Sequence, residues 1–284
     1  MKQPFAERTW KLAHGKEVIL GPQAVIMGIL NVTPDSFSDG GKFEKPFQAI
    51  HRAVEMKNEG AVIIDIGGES TKPGAEPVSE QEEQDRVMLV IEALSGEKEI
   101  ILSVDTYRAS TAKMAIEAGC HIINDVWGFQ KDPEIANVAK ELGAGCVAMH
   151  TGRERTKKED VIEDQREFLN QSIKVMKGAG IEDEYIVLDP GFGFAKDPEE
   201  NITLLSRFDE LLDFGYPLLA GTSRKRFIGH FTGQNENSRD IGTAATSVVA
   251  RMKGCHVFRV HDVSSNRDAL AIADAALKHE IRMR

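Results

Sequence analysis

The chain has 284 residues, 41% of them hydrophobic and 28% charged, with a formal net charge of −10. That length can bury a substantial core without disulfides or metal staples, and the acidic balance excludes a general nucleic-acid binder, which needs a basic surface. No apolar run approaches the roughly 18 residues that span a bilayer, and the opening stretch MKQPFAERTWKLAHGKEV holds no apolar segment of the kind a secretory leader carries.

In residues 1–20, Trp10, Leu12, Val18 and Ile19 lie around His14-Gly15 and read as a hairpin that plugs the bottom of the fold. Strand-like apolar runs follow: VIMGIL (25–30), AVIIDI (61–66), IILSV (100–104) and HIIN (121–124). Four more are GCVAM (145–149), YIVLD (185–189), YPLLAG (216–221) and HVFRV (256–260). They are short and do not alternate, as expected of parallel strands covered by helices. Helical patterns lie between them. Ser79 and Glu82 form a capping box, Gly119 ends a helix, and Val161, Ile162, Phe168, Leu169, Ile173 and Met176 share one helical face.

Eight β-then-α units, with no GxGxxG turn after the first strand, favour an α/β (β/α)8 TIM barrel over a doubly wound open sheet. The expected layout is a single domain over 1–284, with the N-terminal hairpin at 1–20 and the barrel core at 25–263. Cys120, Cys146 and Cys255 are odd in number and lie in or beside apolar runs. They read as buried reduced thiols, which fits a cytoplasmic location.

Barrel chemistry gathers at the C-terminal strand ends. Here these carry Asn31, Asp65, Asp105, Asn124 and Asp125, Met149 and His150, Asp189, Ser223-Arg224-Lys225, and Arg259 with His261. A helix N-cap is the plain reading of any one Asp, Asn or Ser, and for Asp65 or Asp125 alone it has equal weight. Eight such ends, two of them cationic, exceed what capping needs. Asp105, Asn124 and Asp189 suit the edge of a nitrogen heterocycle. Arg259, His261 and the SRK group suit phosphate. Asn31 offers a hard oxygen that would help hold Mg²⁺. Lys225 also admits a Schiff-base reading, with Arg224 and Arg226 lowering its pKa; a charged ligand-binding lysine is preferred. No HxH or HExxH pattern points to a zinc hydrolase. The stretch GRERTKKEDVIEDQRE (152–167) reads as a solvated loop and helix face without chemistry.

MGILNVTPDSFSDGG, IDIGGESTKPGA, SVDTY, HIINDVWG, MH, LDPGFGFAK, GTSRKRFIG and FRVHDV occur in order at the strand ends. The set resembles the dihydropteroate synthase family of the folate pathway over about 25–263. The resemblance implies condensation of (7,8-dihydropterin-6-yl)methyl diphosphate with 4-aminobenzoate, giving 7,8-dihydropteroate and diphosphate with Mg²⁺ as cofactor, by an SN1-like path. It implies Asp189 and Asn124 at the pyrimidine edge, helped by Asp105, with Lys225 on a ring oxygen or nitrogen. Arg259 and His261 would hold the diphosphate with Asn31 and Mg²⁺, and Thr71 would touch phosphate or order its loop. Asp39 or Asp35 would stabilise the cation as the loop NVTPDSFSDGG closes. Phe37, Pro73 and Phe194 would wall the arylamine site.

Two positions depart from the usual family wording: Lys72 within STKP, and Arg226 after Lys225, which would meet the 4-aminobenzoate carboxylate or point to solvent. The resemblance implies a homodimer, with the small-residue helix GTAATSVVARMKG against the barrel or a partner. The alternatives are a methyltetrahydrofolate-dependent methyltransferase, which shares the pterin-edge carboxylates without needing the phosphate cations, and a catalytically silent pterin-binding protein.

Overall fold

The computed structural model describes residues 4–32, 44–70, 74 and 76–283. A two-stranded antiparallel hairpin, β1 (Arg8–Lys11) and β2 (Glu17–Leu20), precedes eight parallel strands. These are β3 (Val25–Asn31), β4 (Ile63–Gly67), β5 (Ile101–Asp105) and β6 (Ile122–Asp125). They continue as β7 (Gly145–Met149), β8 (Ile186–Asp189), β9 (Leu219–Ala220) and β10 (Val257–Val260). The sheet runs β8-β7-β6-β5-β4-β3-β10-β9, and a parallel bridge between Leu188 and Leu218 joins its two edges. The result is a (β/α)8 barrel, as the unit count predicts.

The helices fall between strands. They are α1 (Glu44–Glu59), α2 (Glu80–Leu94), α3 (Ala109–Glu117), α4 (Ile135–Leu142), α5 (Val161–Gly178) and α6 (Pro198–Ser206). Both α7 (Arg226–Thr232) and α8 (Asp240–Met252) follow β9, and α9 (Val263–Met283) follows β10. At the start of α2 the Ser79 hydroxyl accepts the Glu82 N–H at 3.2 Å, while the Glu82 carboxylate turns to Arg86. Only the serine half of the expected capping box therefore forms. Gly119 does end α3, at φ +117°, a conformation cheap only for glycine.

Side chains alternate along each strand, so every strand sends one column inward. The lower part of that column is apolar: Val25, Met27, Ile63, Ile122, Val147, Val187, Leu219 and Val257 form one buried cluster. Trp10, Leu12, Val18 and Leu20 of the hairpin belong to the same cluster and stopper the barrel from below. The hairpin expectation holds with a register change. Ile19 is 44% exposed and Leu20 takes the inward place, because side chains two apart share a face. A second, larger cluster fills the space between strands and helices and includes all three cysteines, which are free thiols.

The stopper is load-sensitive at Leu12, whose Cδ2 lies 2.4 Å from where a Cβ on Gly145 would sit. Leu12→Ala is expected to cost about 2–5 kcal/mol of folding free energy, read from the urea midpoint. An unchanged midpoint would mean the hairpin contributes nothing to the barrel.

Candidate active site

Two residues further up the same inward columns, the lining turns polar. Ile63 gives way to Asp65, Ile101 to Ser103, Ile122 to Asn124, Val187 to Asp189, and Val257 to Arg259. Strand register sets Asn31 beside Gly67, Gly67 beside Asp105 and Asp105 beside Asn124. The ends of β3 to β6 thus stand at one height. Gly67 carries no side chain in this row. A Cβ there would come within 3.6 Å of Asn31 Oδ1 and of the Asp105 Cβ.

Arg259 organises the centre. Its Nε donates to Asp65 Oδ2 at 2.6 Å and its Nη2 to Asp105 Oδ2 at 2.7 Å. Asp65, fully buried, also accepts from Ser103 Oγ at 2.6 Å and from Asn124 Nδ2 at 3.0 Å. It caps no helix; it is the node that joins β4, β5, β6 and β10. Asp125 keeps the local role, accepting the N–H groups of Trp127 and Phe129 at 2.7 Å each. Burial raises the Asp105 carboxyl to about 7, against the opposing pull of Arg259. The guanidinium rises although burial opposes it, because Asp65 and Asp105 stabilise its charge.

Asp189 is 3% exposed, and its Oδ1 accepts the Gly191 N–H at 2.7 Å. Burial lifts it to about 6, moderated by that bond and by Lys225 and Arg259. The Lys225 ammonium sits 4.3 Å from the centre of the Phe194 ring, a cation–π contact. Desolvation first, then repulsion from Arg259, lowers Lys225 to about 8. The sequence reading credited Arg224 and Arg226 with this effect. Arg224 instead makes a bidentate pair with Asp240, 2.8 Å on both bonds, and Arg226 is exposed at the start of α7. Arg224 therefore locks α8 rather than adding to the site's cations.

Ser223 Oγ is hydrogen-bonded to His261 Nδ1 at 2.8 Å, and it accepts the His261 backbone N–H at 3.0 Å. Asp35, Phe37, Asp39, Thr71, Lys72 and Pro73 lie outside the described residues.

The matches to known proteins agree with this geometry. The family described as "Pterin binding enzyme" matches residues 27–261. The dihydropteroate synthase of Clostridium beijerinckii is 46% identical over 264 residues, 93% of this chain and 98% of the relative. The dihydropteroate synthase of Bacillus subtilis is 47% identical over 90% of this chain and 89% of the relative. The chain belongs to the dihydropteroate synthase family.

Solved dihydropteroate synthases match in three dimensions as well. One from Clostridium difficile, crystallised in the presence of pteroic acid, has a TM-score of 0.88 at 45% identity, covering 90% of this chain and 98% of that one. One from Xanthomonas albilineans with 4-aminobenzoic acid has a TM-score of 0.89 at 38% identity, covering 95% and 98%.

In this member of the dihydropteroate synthase family, several groups near the site lie in the stretch 152–167 that sequence reading gave to solvent. The Arg153 guanidinium lies 4.7 Å from the centre of the Phe194 ring. Arg155 pairs with Asp164 at 2.7 Å, and Asp164 also takes the Nε2 side of His150 at 2.9 Å. Gln165 donates to the Pro190 carbonyl at 3.1 Å. A run so rich in charge looks solvated in sequence; only the strand-end histidine, His150, hinted that its partners must turn inward.

Proposed function

We propose that this chain condenses (7,8-dihydropterin-6-yl)methyl diphosphate with 4-aminobenzoate. The observation that carries the reading is that one barrel mouth joins a heterocycle-edge set, Asn124 and Asp189, to cations at Lys225 and Arg259. A pterin diphosphate presents both chemistries in one molecule. Asp189 accepts the two parallel N–H groups of the pyrimidine edge, a short and selective contact for a carboxylate. Lys225 faces the ring from the Phe194 side.

The arylamine is neutral at pH 7 and needs no strong base. The C–O bond between the methylene carbon and diphosphate breaks, and the cation delocalises into the dihydropterin. The arylamine nitrogen then forms the new C–N bond and sheds its proton. The residues' work is electrostatic preorganisation: Arg259 and His261 receive the leaving anion, and Asp35 or Asp39 faces the cation. Phe194, with Phe37 and Pro73, walls the arylamine, and Thr71 meets phosphate. Arg226, exposed and next in the chain to Lys225, is assigned to the arylamine carboxylate.

Asn31, a neutral oxygen donor at the mouth on the other side of Gly67 from Asp105, fits Mg²⁺, which takes few protein ligands together with substrate oxygens. The ion would neutralise diphosphate charge. A homodimer is part of the same reading. Ile241, Val249 and Met252 are exposed along α8, with Phe231 nearby in chain order on α7, and this apolar stripe supports a partner there. A cytoplasmic setting is supported by three free thiols; among the described residues no helix is long and apolar enough to cross a membrane.

Diphosphate release is expected only when pterin diphosphate, 4-aminobenzoate and Mg²⁺ are all present. Folded protein that releases none under those conditions overturns the proposal.

A further inference from the structure

The loop that follows Asp189 has its carbonyls held one after another. The Asp189 carbonyl accepts the His150 N–H at 2.8 Å. The Pro190 carbonyl accepts from Gln165, and the Gly191 carbonyl accepts both the Phe194 N–H at 3.2 Å and Lys196 Nζ at 2.9 Å. Gly191 is thus gripped on both sides of its residue, its N–H by Asp189 and its C=O by Lys196. It sits at φ +65°, and a Cβ there would fall 1.9 Å from the His150 carbonyl oxygen, so no other residue fits.

Lys196 is itself anchored. Its Nζ is hydrogen-bonded to His150 Nδ1 at 2.9 Å, burial lowering the amine to about 7, and His150, fully buried, passes its Nε2 side to Asp164 at 2.9 Å. Burial, then the Lys196 charge, lowers His150 to about 3, so the imidazole is neutral and accepts from the lysine. The chain Asp164–His150–Lys196–Gly191 ends on the two elements that meet the substrates. Through the Gly191 N–H it reaches the Asp189 carboxylate, and through the Gly191–Phe194 turn it reaches the Phe194 ring.

We infer that Lys196 is a positioning residue for both substrates, fixing Asp189 for the pterin edge and Phe194 for the arylamine through the Gly191 carbonyl. The inference deepens the proposed function and rests on it. Lys196 acts through the Gly191 carbonyl and is assigned no substrate contact. Its loss would free the Gly191 peptide to turn, letting the Asp189 carboxylate rotate and the Phe194 turn widen, while Arg259, His261 and Asn31 keep their places.

Lys196→Met tests this in the full chain. Calorimetric affinity for 6-hydroxymethylpterin is expected to fall about tenfold to a hundredfold, the worth of a charge-assisted hydrogen bond, and the KM for 4-aminobenzoate to rise in parallel. At saturation kcat should stay within about threefold, because the leaving-group residues are untouched. Lys196→Gln, polar but too short to reach both partners, is held to the same outcome if the methionine variant does not fold.

Ser247→Ala, which removes the buried Ser247–Asn266 bond between α8 and α9, serves as a destabilised control. It should lower the melting temperature and leave the pterin Kd and both KM values unchanged. A Lys196 variant that lowers only the melting temperature and the active fraction overturns the inference. A wild-type chain that binds no pterin overturns the underlying functional reading instead.

Discussion

Arg259→Ala is expected to cut kcat by about 10²–10³-fold, the usual cost of removing one preorganised charge from a developing anion. The geometry adds a second effect. Arg259 bridges Asp65 and Asp105, so its removal leaves two carboxyl groups side by side with no cation between them. The Asp105 carboxyl, already lifted to about 7 by burial, loses the group that holds it down. It would then be protonated at neutral pH and present a donor where an acceptor stood. Affinity for a bare pterin should therefore weaken, but by less than the loss in turnover. Steady-state rates set beside a calorimetric pterin titration separate the two. Equal losses in both would mean that Arg259 serves the ring rather than the leaving group.

Asp189→Ala should act on binding. In the proposed function it removes the carboxylate assigned to the pyrimidine edge, worth about 1.5–3 kcal/mol for each charged hydrogen bond, which for two bonds takes pterin affinity below calorimetric detection. The same group sets a pH dependence. Burial holds Asp189 at about 6, and only the ionised form accepts two N–H bonds. Affinity is thus complete above that value and is lost as pH falls through it, by about tenfold per unit at the acid end. A flat profile between pH 4 and 7 would remove Asp189 from the pterin edge.

The barrel was legible because parallel strands under helices are continuous apolar runs, and all eight occur where those runs lie. The shortest, β9, keeps only Leu219 and Ala220 of YPLLAG, since Pro217 lacks the N–H a ladder needs. The hairpin shifted at Ile19 because a pair of adjacent apolar residues gives no sign of which faces inward. Charge was harder to read. Asp65 looked like a cap as much as a ligand, and its node with Arg259 spans 194 residues of chain, beyond any local pattern.

The Arg155–Asp164 pair falls in a stretch that reads as surface because arginine and aspartate are seldom buried, and Lys196 stands in LDPGFGFAK with no role assigned to it. What sequence did hold was the spacing: a lysine seven positions after Asp189, across three glycine- and phenylalanine-rich steps, is placed to fold back on its own loop.

The three cysteines give the molecule a practical property. Each is buried, and burial drives its thiol well above the ordinary range. Since the thiolate is what alkylates, the native chain offers reagents no target. One cysteine installed at the exposed position of Arg226 would take a fluorophore alone. The dye would stand at the start of α7, next in the chain to Lys225, with no thiol background to subtract.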